Sequence, residues 1–168
     1  ISMDDLGGGY VHNAQSGVAH YLGEDEADAI DYVRTVLAYL PNSCDEKPTV
    51  YPYSNGHAED DAAKRIGTIV PDNDRQPYDV VDVIHCLVDY GEFLEVHELF
   101  APSVVVCFAC IKGQSVGIVA NQPAVRAGIL DVDSSEKLAR FVRLCDAFNL
   151  PVITLVDVPG YKPGSDQE

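Results

Sequence analysis

Basic residues are scarce in this sequence of 168 residues, where 11 Lys and Arg stand against 27 Asp and Glu. The resulting formal net charge of −16 repels phosphate backbones and anionic lipids, so we expect neither nucleic acid nor a membrane surface as a partner. Long apolar runs are missing as well, and none approaches the roughly 20 residues that a transmembrane helix needs. These absences argue against a nucleic-acid-binding protein and against a membrane protein.

The excess of acids over bases comes with an apolar fraction of 46%, which is normal for a folded protein. One interpretation is a host with molar intracellular salt, where a screening length of about 3 Å makes the repulsion tolerable. The other is an acidic segment whose partner surfaces lie elsewhere. The first interpretation predicts that the melting temperature rises between roughly 0.1 M and 2 M KCl, and a melting temperature that does not rise would exclude it.

Cysteines are few and irregularly spaced, which favours a reducing compartment over a disulfide framework; the five are Cys44, Cys86, Cys107, Cys110 and Cys145. Cys107 and Cys110 form a C-x-x-C pair inside an apolar run that we predict to be a strand. Side chains three positions apart on a strand point to opposite faces. We therefore predict that both pack rather than share a metal ion.

The first 22 residues read as a loop, with Gly7-Gly8-Gly9 followed by His12, Ser16 and His20. A Ser–His catalytic pair is one interpretation, but the GxSxG turn that would support it is absent. A metal site is another, but only scattered acids could complete its ligand set. We favour histidines that are hydrogen-bonded within a folded loop at an interface. The glycine patterns of phosphate-binding loops are likewise incomplete.

Hydrophobic periodicity organises the middle of the chain. A helix over 24–40 is predicted to bury one apolar stripe, made of Ala27, Ile30, Val33, Val36, Leu37 and Leu40. Residues 41–78 are rich in proline and read as a surface connector, with a strand-like tether over 65–71. A second helix is predicted to begin at Pro77 and end at Gly91, followed by a half-buried element over 93–100.

The stretch from Ser103 onwards is the most regular. Two apolar runs, Val104–Ile111 and Val116–Ala120, flank a turn that contains Gly113, which predicts a β-hairpin. A helix over 134–148, capped by Asp133 or Ser134, leads to a buried strand over 152–156.

The order of strand, strand, helix and strand indicates an α/β fold, in which ligands bind at the carboxyl ends of the strands. A buried parallel strand needs neighbours on both sides, and only one complete ββα unit is visible. We therefore expect an internal piece of a longer protein, with a complete small domain as the alternative.

Several long phrases carry a resemblance to a known family. They are DLGGGYVHNAQSGVAH, TIVPDN, PYDVVDVI, EFLEVHELFAPSVVVCFA and VGIVANQPAVRAGILDVDSSEKLARFVRLCDAFNLPVITLVDVPGYKPGSDQE. The sequence resembles the carboxyltransferase β subunit of acyl-CoA carboxylases, in particular the propionyl-CoA carboxylase type. That resemblance implies two crotonase-like domains, each a spiral of ββα repeats. Residues 1–40 would end the first domain, 41–102 would connect the domains, and 103–168 would begin the second.

The resemblance implies transfer of a carboxyl group from carboxybiotin to the α-carbon of propionyl-CoA or a similar acyl-CoA. In this family, paired backbone N–H groups stabilise the enolate of the acyl-CoA and the ureido anion of biotin. Both oxyanion turns of the family fall outside residues 1–168, and Gly7-Gly8-Gly9 is not one of them. We therefore expect no catalytic residue and no metal in this chain, which alone would be inactive.

The resemblance also implies partners and a location. Biotin would arrive on a separate carrier and be carboxylated by a biotin carboxylase subunit, and the intact protein would form a homo-oligomer, a hexamer in the family. The location would be the cytoplasm of a prokaryote, with a high-salt host as one possibility, or the mitochondrial matrix of a eukaryote. Two positions depart from the family pattern: Cys110 stands where an Arg is common, and Cys107 where a Gly is common.

The residues implied to line the biotin and substrate pocket follow the hairpin and the last strand; they are Asn121, Gln122, Pro123, Gly128, Val158, Pro159, Gly160 and Tyr161. The alternative for Pro159-Gly160 is that the pair only turns the chain. Two other functions stay open. One is a biotin-dependent decarboxylase subunit that acts on a carboxyacyl-CoA, and the other is a non-catalytic junction that serves subunit assembly.

Overall fold

The computed structural model describes residues 1–54, 58–73 and 75–167. Its strands form one mixed sheet in the order β1-β2-β3-β4, with β1 at Phe93–Val96, β2 at Val104–Ile111, β3 at Gln114–Asn121 and β4 at Val152–Leu155. The first three strands are antiparallel, and β4 joins β3 in parallel. The helices are α1 (Met3–Gly7), α2 (Gly9–Ala14), α3 (Glu26–Tyr39), α4 (Ala58–Ile69), α5 (Val80–Leu87) and α6 (Val132–Ala147).

The predicted hairpin is confirmed. Strands β2 and β3 pair from Val104 opposite Asn121 to Ile111 opposite Gln114. Lys112 and Gly113 connect them with φ values of 52° and 78°, the two positive angles that a tight hairpin turn requires. The carboxylate of Asp89 accepts hydrogen bonds from both backbone N–H groups, each at 2.7 Å. This carboxylate fixes the register of the hairpin from outside the sheet.

Two apolar layers cover the sheet. On one face α5 packs against alternate residues of the hairpin, in a cluster that includes Val80, Ile84, Val88, Val105, Cys107 and Ile118. On the other face α6 packs against the intervening residues, in a cluster that includes Val106, Phe108, Val119, Phe141 and Cys145. Cys107 is fully buried in the first layer, whereas Cys110 lies at 4.0 Å from the hydroxyl of Ser115.

The prediction that one apolar stripe of α3 is buried is wrong for three of its six residues. Ile30, Val33 and Leu37 are more than half exposed, at 52%, 55% and 62%. The inward face carries tyrosines instead: Tyr32 donates to the carbonyl of Glu95 at 3.3 Å, and Tyr39 stacks on Phe108 of β2 at 5.7 Å between ring centroids. The large tyrosine rings reach the sheet, so they decide which side of the helix turns inward. Val36 and Leu40 do pack against the second layer.

Two predicted loops contain helices. The prediction of a strand-like tether over 65–71 is wrong, because residues 65–69 form the last part of α4. The Thr68 hydroxyl donates a hydrogen bond to the carbonyl of Arg65 at 2.7 Å within that helix. The predicted loop at the start of the chain contains α1 and α2. A capping box between Ser2 and Asp5 starts α1, and this short-range signal outweighs the glycines.

Other boundaries shift by a few residues because side chains other than the predicted ones cap the helices. Asp79 caps α5, which therefore begins three residues after Pro77 and ends before Gly91. Asp131 caps α6 through a capping box with Ser134, instead of Asp133 or Ser134 as predicted. The half-buried element over 93–100 is confirmed in part as β1. Strand β4 is not buried as predicted, since β3 is its only neighbour among the described residues and Val152 is 38% exposed.

Replacing Gly113 by Ala is expected to lower the free energy of unfolding by about 2 kcal/mol, because a side chain in the left-handed region costs roughly 1–2 kcal/mol. A Cβ at this position would also overlap the carbonyl oxygen of Tyr51, whose N–H donates to the Gly113 carbonyl at 2.8 Å. Denaturant unfolding measures the change. The matched control is Gly67→Ala, where no atom lies within 4 Å of the added Cβ; equal stability of the two variants would contradict the prediction.

Candidate functional site

A groove lies where β3 and β4, which run in parallel, reach their carboxyl ends. Its volume is about 460 Å³, and three segments line it: the residues before α5, the loop after β3 and the loop after β4. The lining residues are Arg75, Gln76, Pro77, Tyr78, Pro123, Ala124, Ala127, Asp157, Val158 and Pro159. This is the edge of the sheet at which the sequence predicts ligand binding.

The eight predicted pocket residues divide into three groups. Pro123, Val158 and Pro159 line the groove. Asn121, Gln122 and Gly128 are buried behind it, and they hold its walls together. Gly160 and Tyr161 lie outside it: Tyr161 is 75% exposed, pairs with Leu130, and lines a second groove of about 400 Å³ beside α6.

Asn121 joins the two loops that form one side of the groove. Its side chain donates to the carbonyl of Gly128 at 3.0 Å and accepts from the N–H of Asp157 at 3.3 Å. Gly128 has a φ of 72°, and a Cβ there would lie 2.8 Å from the carbonyl oxygen of Asp157. The close approach of the loops therefore requires glycine at this position.

Gln122 fastens the same loop to the start of α5. Its side-chain oxygen accepts from the N–H groups of Val80 at 3.2 Å and Ala124 at 3.3 Å. Its side-chain nitrogen donates to the carboxylate of Asp79 at 2.7 Å. Both ends of this buried amide are satisfied, so the groove wall and the first turn of α5 form one rigid unit.

A left-handed turn over Arg126–Gly128 brings Ala127 to the groove. The three residues have φ values of 49°, 56° and 72°. For Arg126 and Ala127 this region costs roughly 1–2 kcal/mol each. The turn is held by bonds from the N–H of Gly128 to the Val125 carbonyl at 2.9 Å and from the N–H of Ile129 to the Arg126 carbonyl at 3.2 Å. Strain of this kind is found where surrounding structure fixes a functional surface.

Sequence reasoning missed the pair formed by Tyr78 and Asp157. The Tyr78 hydroxyl donates to the Asp157 carboxylate at 2.9 Å, across 79 positions of sequence. Burial, followed by this hydrogen bond, raises the pKa of Tyr78 to about 12. Asp157 follows directly after the last predicted strand, and this position indicates a ligand-binding role for Asp157 but not for Tyr78. Nothing in the sequence pairs it with Tyr78.

The groove is built for binding rather than for covalent chemistry. Of the ten residues that line it, none is Ser, Cys, Thr, His or Lys, and its two groups of nucleophilic type, the Tyr78 hydroxyl and the Asp157 carboxylate, are hydrogen-bonded to each other. Its walls are mostly apolar or amide groups, with one carboxylate and one guanidinium, those of Asp157 and Arg75. This composition suits a ligand that is held by shape and a few polar contacts.

The histidines near the start of the chain lie elsewhere. The ring of His12 is 3.4 Å from the hydroxyl of Ser16, and the ring of His20 lies against that of His97 with 3.9 Å between centroids. Among residues 1–54, 58–73 and 75–167, no group of three or more His, Cys, Asp or Glu side chains could hold a metal ion. No helix in the described part of the chain is long and apolar enough to cross a membrane.

Comparison with known proteins gives consistent matches. The profile of the family described as carboxyl transferase domain matches residues 1–168. The chain is 53% identical to the propionyl-CoA carboxylase beta chain of Saccharopolyspora erythraea, over 100% of this chain and 32% of that protein. It is 46% identical to the methylmalonyl-CoA decarboxylase subunit alpha of Veillonella parvula, over 100% of this chain and 33% of that protein.

The fold matches a solved structure equally well. Transcarboxylase 12S, a hexamer assembly crystallised with methylmalonyl-CoA and methylmalonic acid bound, superposes with a TM-score of 0.93 at 41% identity. The match covers 99% of this chain and 32% of that chain. The chain therefore spans about a third of the length of the relatives it matches.

Proposed function

The chain belongs to the carboxyl transferase domain family, and on that basis we propose that the full-length protein moves a carboxyl group between biotin and the α-carbon of an acyl-CoA. Its relatives at 53% and 46% identity are named for a carboxylase and a decarboxylase of acyl-CoA thioesters. The groove at the sheet edge supports a binding role, because its lining offers shape and hydrogen bonds but no Ser, Cys, Thr, His or Lys. Electrostatic stabilisation of the enolate then comes from backbone N–H groups outside residues 1–168.

The substrate that we propose is propionyl-CoA. The support is that two relatives, from Saccharopolyspora erythraea at 53% and Haloferax mediterranei at 47% identity, are both named propionyl-CoA carboxylase subunits. Decarboxylation of a carboxyacyl-CoA is the second candidate, supported by the relative from Veillonella parvula. Carboxylation requires a biotin carboxylase partner and a biotin carrier, so co-purification of a biotinylated, ATP-consuming subunit favours the first candidate.

We further propose that residues 1–40 and 103–168 belong to two crotonase-like domains, with 41–102 as the connection. The unit of β2, β3, α6 and β4 is one complete ββα repeat, which supports placing a domain start near residue 103. Assembly as a homohexamer is supported by transcarboxylase 12S, whose structure is a hexamer assembly. Since the stabilising turns lie outside the chain, purified 1–168 is expected to show no carboxyl transfer. Methylmalonyl-CoA formation by it would contradict this.

We assign the groove to the ureido ring of biotin. The observation that carries the assignment is that both predicted loops meet there, tied together by Asn121 between Gly128 and Asp157, around an open volume of about 460 Å³. Each loop contributes its proline, Pro123 and Pro159, to the lining. Such walls can contact the faces of the ring and fix its plane without taking part in proton transfer.

Filling the groove tests the assignment. In carboxyl transfer from methylmalonyl-CoA to free biotin by the full-length protein, Ala124→Phe is expected to raise the KM for biotin at least about tenfold, because the new ring occupies the groove, while the KM for methylmalonyl-CoA changes little. The matched control is Ala139→Phe, which fills the second groove beside α6. Unchanged KM for biotin in Ala124→Phe, or an equal rise in both variants, would refute the assignment.

A further inference from the structure

We propose that Tyr78 and Asp157 form a recognition pair in which Tyr78 holds the Asp157 carboxylate so that it accepts the N3′–H of the biotin ureido ring. The proposal rests on the assignment of the groove to biotin, and it adds which two residues orient the ureido ring there. Its basis is the hydrogen bond of 2.9 Å between two side chains that both line the groove.

Both members of the pair are held in place by the fold. The ring of Tyr78 packs against the apolar layer under α5, two residues before the buried Val80. The N–H of Asp157 donates to Asn121 at 3.3 Å, and a Cβ on Gly128 would touch its carbonyl oxygen. The Tyr78 ring and the Asp157 backbone are therefore held in place, and they bring the hydroxyl and the exposed carboxylate together at the groove, which reduces the ordering that ligand binding requires.

The Asp157 carboxylate keeps capacity to accept further hydrogen bonds. An ionised carboxylate offers about four acceptor positions on two oxygens. Tyr78 takes one of them on Oδ2. Asp157 belongs to none of the four ion pairs seen between described side chains, although Arg75 lines the same groove. The second oxygen can therefore accept an N–H from a ligand.

A ureido ring suits this acceptor in one orientation. Free biotin carries two ring N–H groups, and carboxylation replaces the one at N1′ and leaves the one at N3′. The N3′–H is attracted to the Asp157 carboxylate, whereas the carboxylate on N1′ is repelled by it. The pair therefore turns the transferable carboxyl group away from Asp157. Because burial raises the pKa of Tyr78 to about 12, its hydroxyl remains a donor throughout the neutral range.

Steady-state kinetics of the full-length protein, with free biotin as the acceptor and methylmalonyl-CoA as the carboxyl donor, test the pair. Asp157→Asn is expected to raise the KM for biotin by about tenfold or more, because the acceptor oxygen loses its charge and the hydrogen bond is no longer charge-assisted. Tyr78→Phe is expected to raise it by a smaller factor, because it only releases the carboxylate. Tyr78 acts through Asp157, so the double variant is expected to match Asp157→Asn alone. The KM for methylmalonyl-CoA stays unchanged in all three.

A biotin derivative methylated at N3′ gives a second readout that a purely structural role would not move. The wild-type protein is expected to bind it at least about tenfold more weakly than biotin, and Asp157→Ala, which removes the acceptor, is expected to bind the two compounds equally. If Ala124→Phe leaves the KM for biotin unchanged, the groove assignment itself fails. If Ala124→Phe raises it while Tyr78→Phe and Asp157→Asn do not, or if the wild type binds the methylated compound as well as biotin, the recognition pair alone is overturned.

Discussion

Replacing Lys137 by Ala is expected to lower the free energy of unfolding by about 4 kcal/mol, one of the two largest effects that the fold predicts. Lys137 lies on α6 and is fully buried. Its ammonium donates to the carbonyls of Phe100 and Val104, each at 2.8 Å. The substitution leaves both buried carbonyls without this donor and opens a cavity beneath the start of β2.

The charge of Lys137 opposes part of this loss. Burial lowers the pKa of Lys137, which means that the ammonium is less stable here than in water, although the nearby carboxylates of Glu95 and Glu98 offset some of the cost. When the desolvation of a buried charge is only partly offset by its neighbours, the side chain stabilises the fold by less than its hydrogen bonds alone would. We expect the hydrogen bonds and the filled volume to outweigh the desolvation, because both bonds are short and the two carbonyls lie in the β1–β2 connection and at the first residue of β2.

Lys137→Met separates the two contributions. Methionine keeps most of the volume and removes the charge and the donors, so it is expected to cost about 2 kcal/mol, and the remainder of the alanine effect measures the cavity. Denaturant unfolding of the three proteins gives these values. If Lys137→Met is as stable as the wild type or more so, the desolvation of the ammonium outweighs its hydrogen bonds. If Lys137→Ala is within about 1 kcal/mol of wild type, the cavity collapses.

The parts of the fold that the sequence predicts correctly are those encoded by contiguous residues. The hairpin follows from two apolar runs around Gly113, and α6 and β4 follow from their own periodicity and from Pro151 between them. The predicted family and the crotonase-like α/β fold are confirmed by the family match and by the likeness to transcarboxylase 12S. Both rest on long phrases of sequence rather than on any single motif.

The parts that could not be predicted depend on distant contacts. Tyr32 and Tyr39 determine which face of α3 turns inward. Their partners on the sheet are Glu95 and Phe108, both more than 60 positions away in the sequence. The groove was predicted in outline, because loops after parallel strands share one edge of the sheet. Tyr78 could not be predicted to lie at that edge, because it belongs to a proline-rich segment without hydrophobic periodicity. Side-chain contacts across the fold, not local propensity, place it beside Asp157.

Acid is expected to destabilise the protein through His97, which joins the first residues of the chain to the sheet. This side chain is 3% exposed, and its Nε2 lies 3.1 Å from the carbonyl oxygen of Gly17. A carbonyl can only accept, so Nε2 carries the proton and Nδ1 is an acceptor. Nδ1 is buried and has no hydrogen-bond partner among the residues that the structure describes. Protonation would therefore place an unsatisfied N–H and a charge in the interior.

The surroundings add to this penalty. Burial, followed by the nearby His20, lowers the pKa of His97 to about 4, and the cations of Lys137 and Arg140 act in the same direction. The hydrogen bond to Gly17 opposes them, but Arg140 donates to the same carbonyl at 2.7 Å. The folded state therefore holds His97 neutral at a pH where the unfolded chain, with an ordinary pKa of about 6.5, already binds a proton.

The sign of the pH dependence follows from that difference. Because the folded pKa lies below the unfolded one, the stabilisation is complete above about pH 6.5 and is lost as the pH falls towards 4. A difference of this size corresponds to about 3 kcal/mol at 1.36 kcal/mol per pKa unit. Denaturant unfolding at a series of pH values should show the loss within this window.

His97→Gln isolates the effect from other titrating groups. Glutamine keeps an amide donor for the Gly17 carbonyl but does not titrate, so the difference between the wild type and this variant contains the His97 contribution alone. This subtraction is needed because burial raises the pKa of Glu95, which makes its own contribution grow as the pH falls. The wild type is expected to lose its stability relative to His97→Gln between about pH 6.5 and pH 4. Parallel curves for the two proteins would mean that the ring is protonated in the folded state without cost, and that water or a neighbouring acceptor reaches Nδ1.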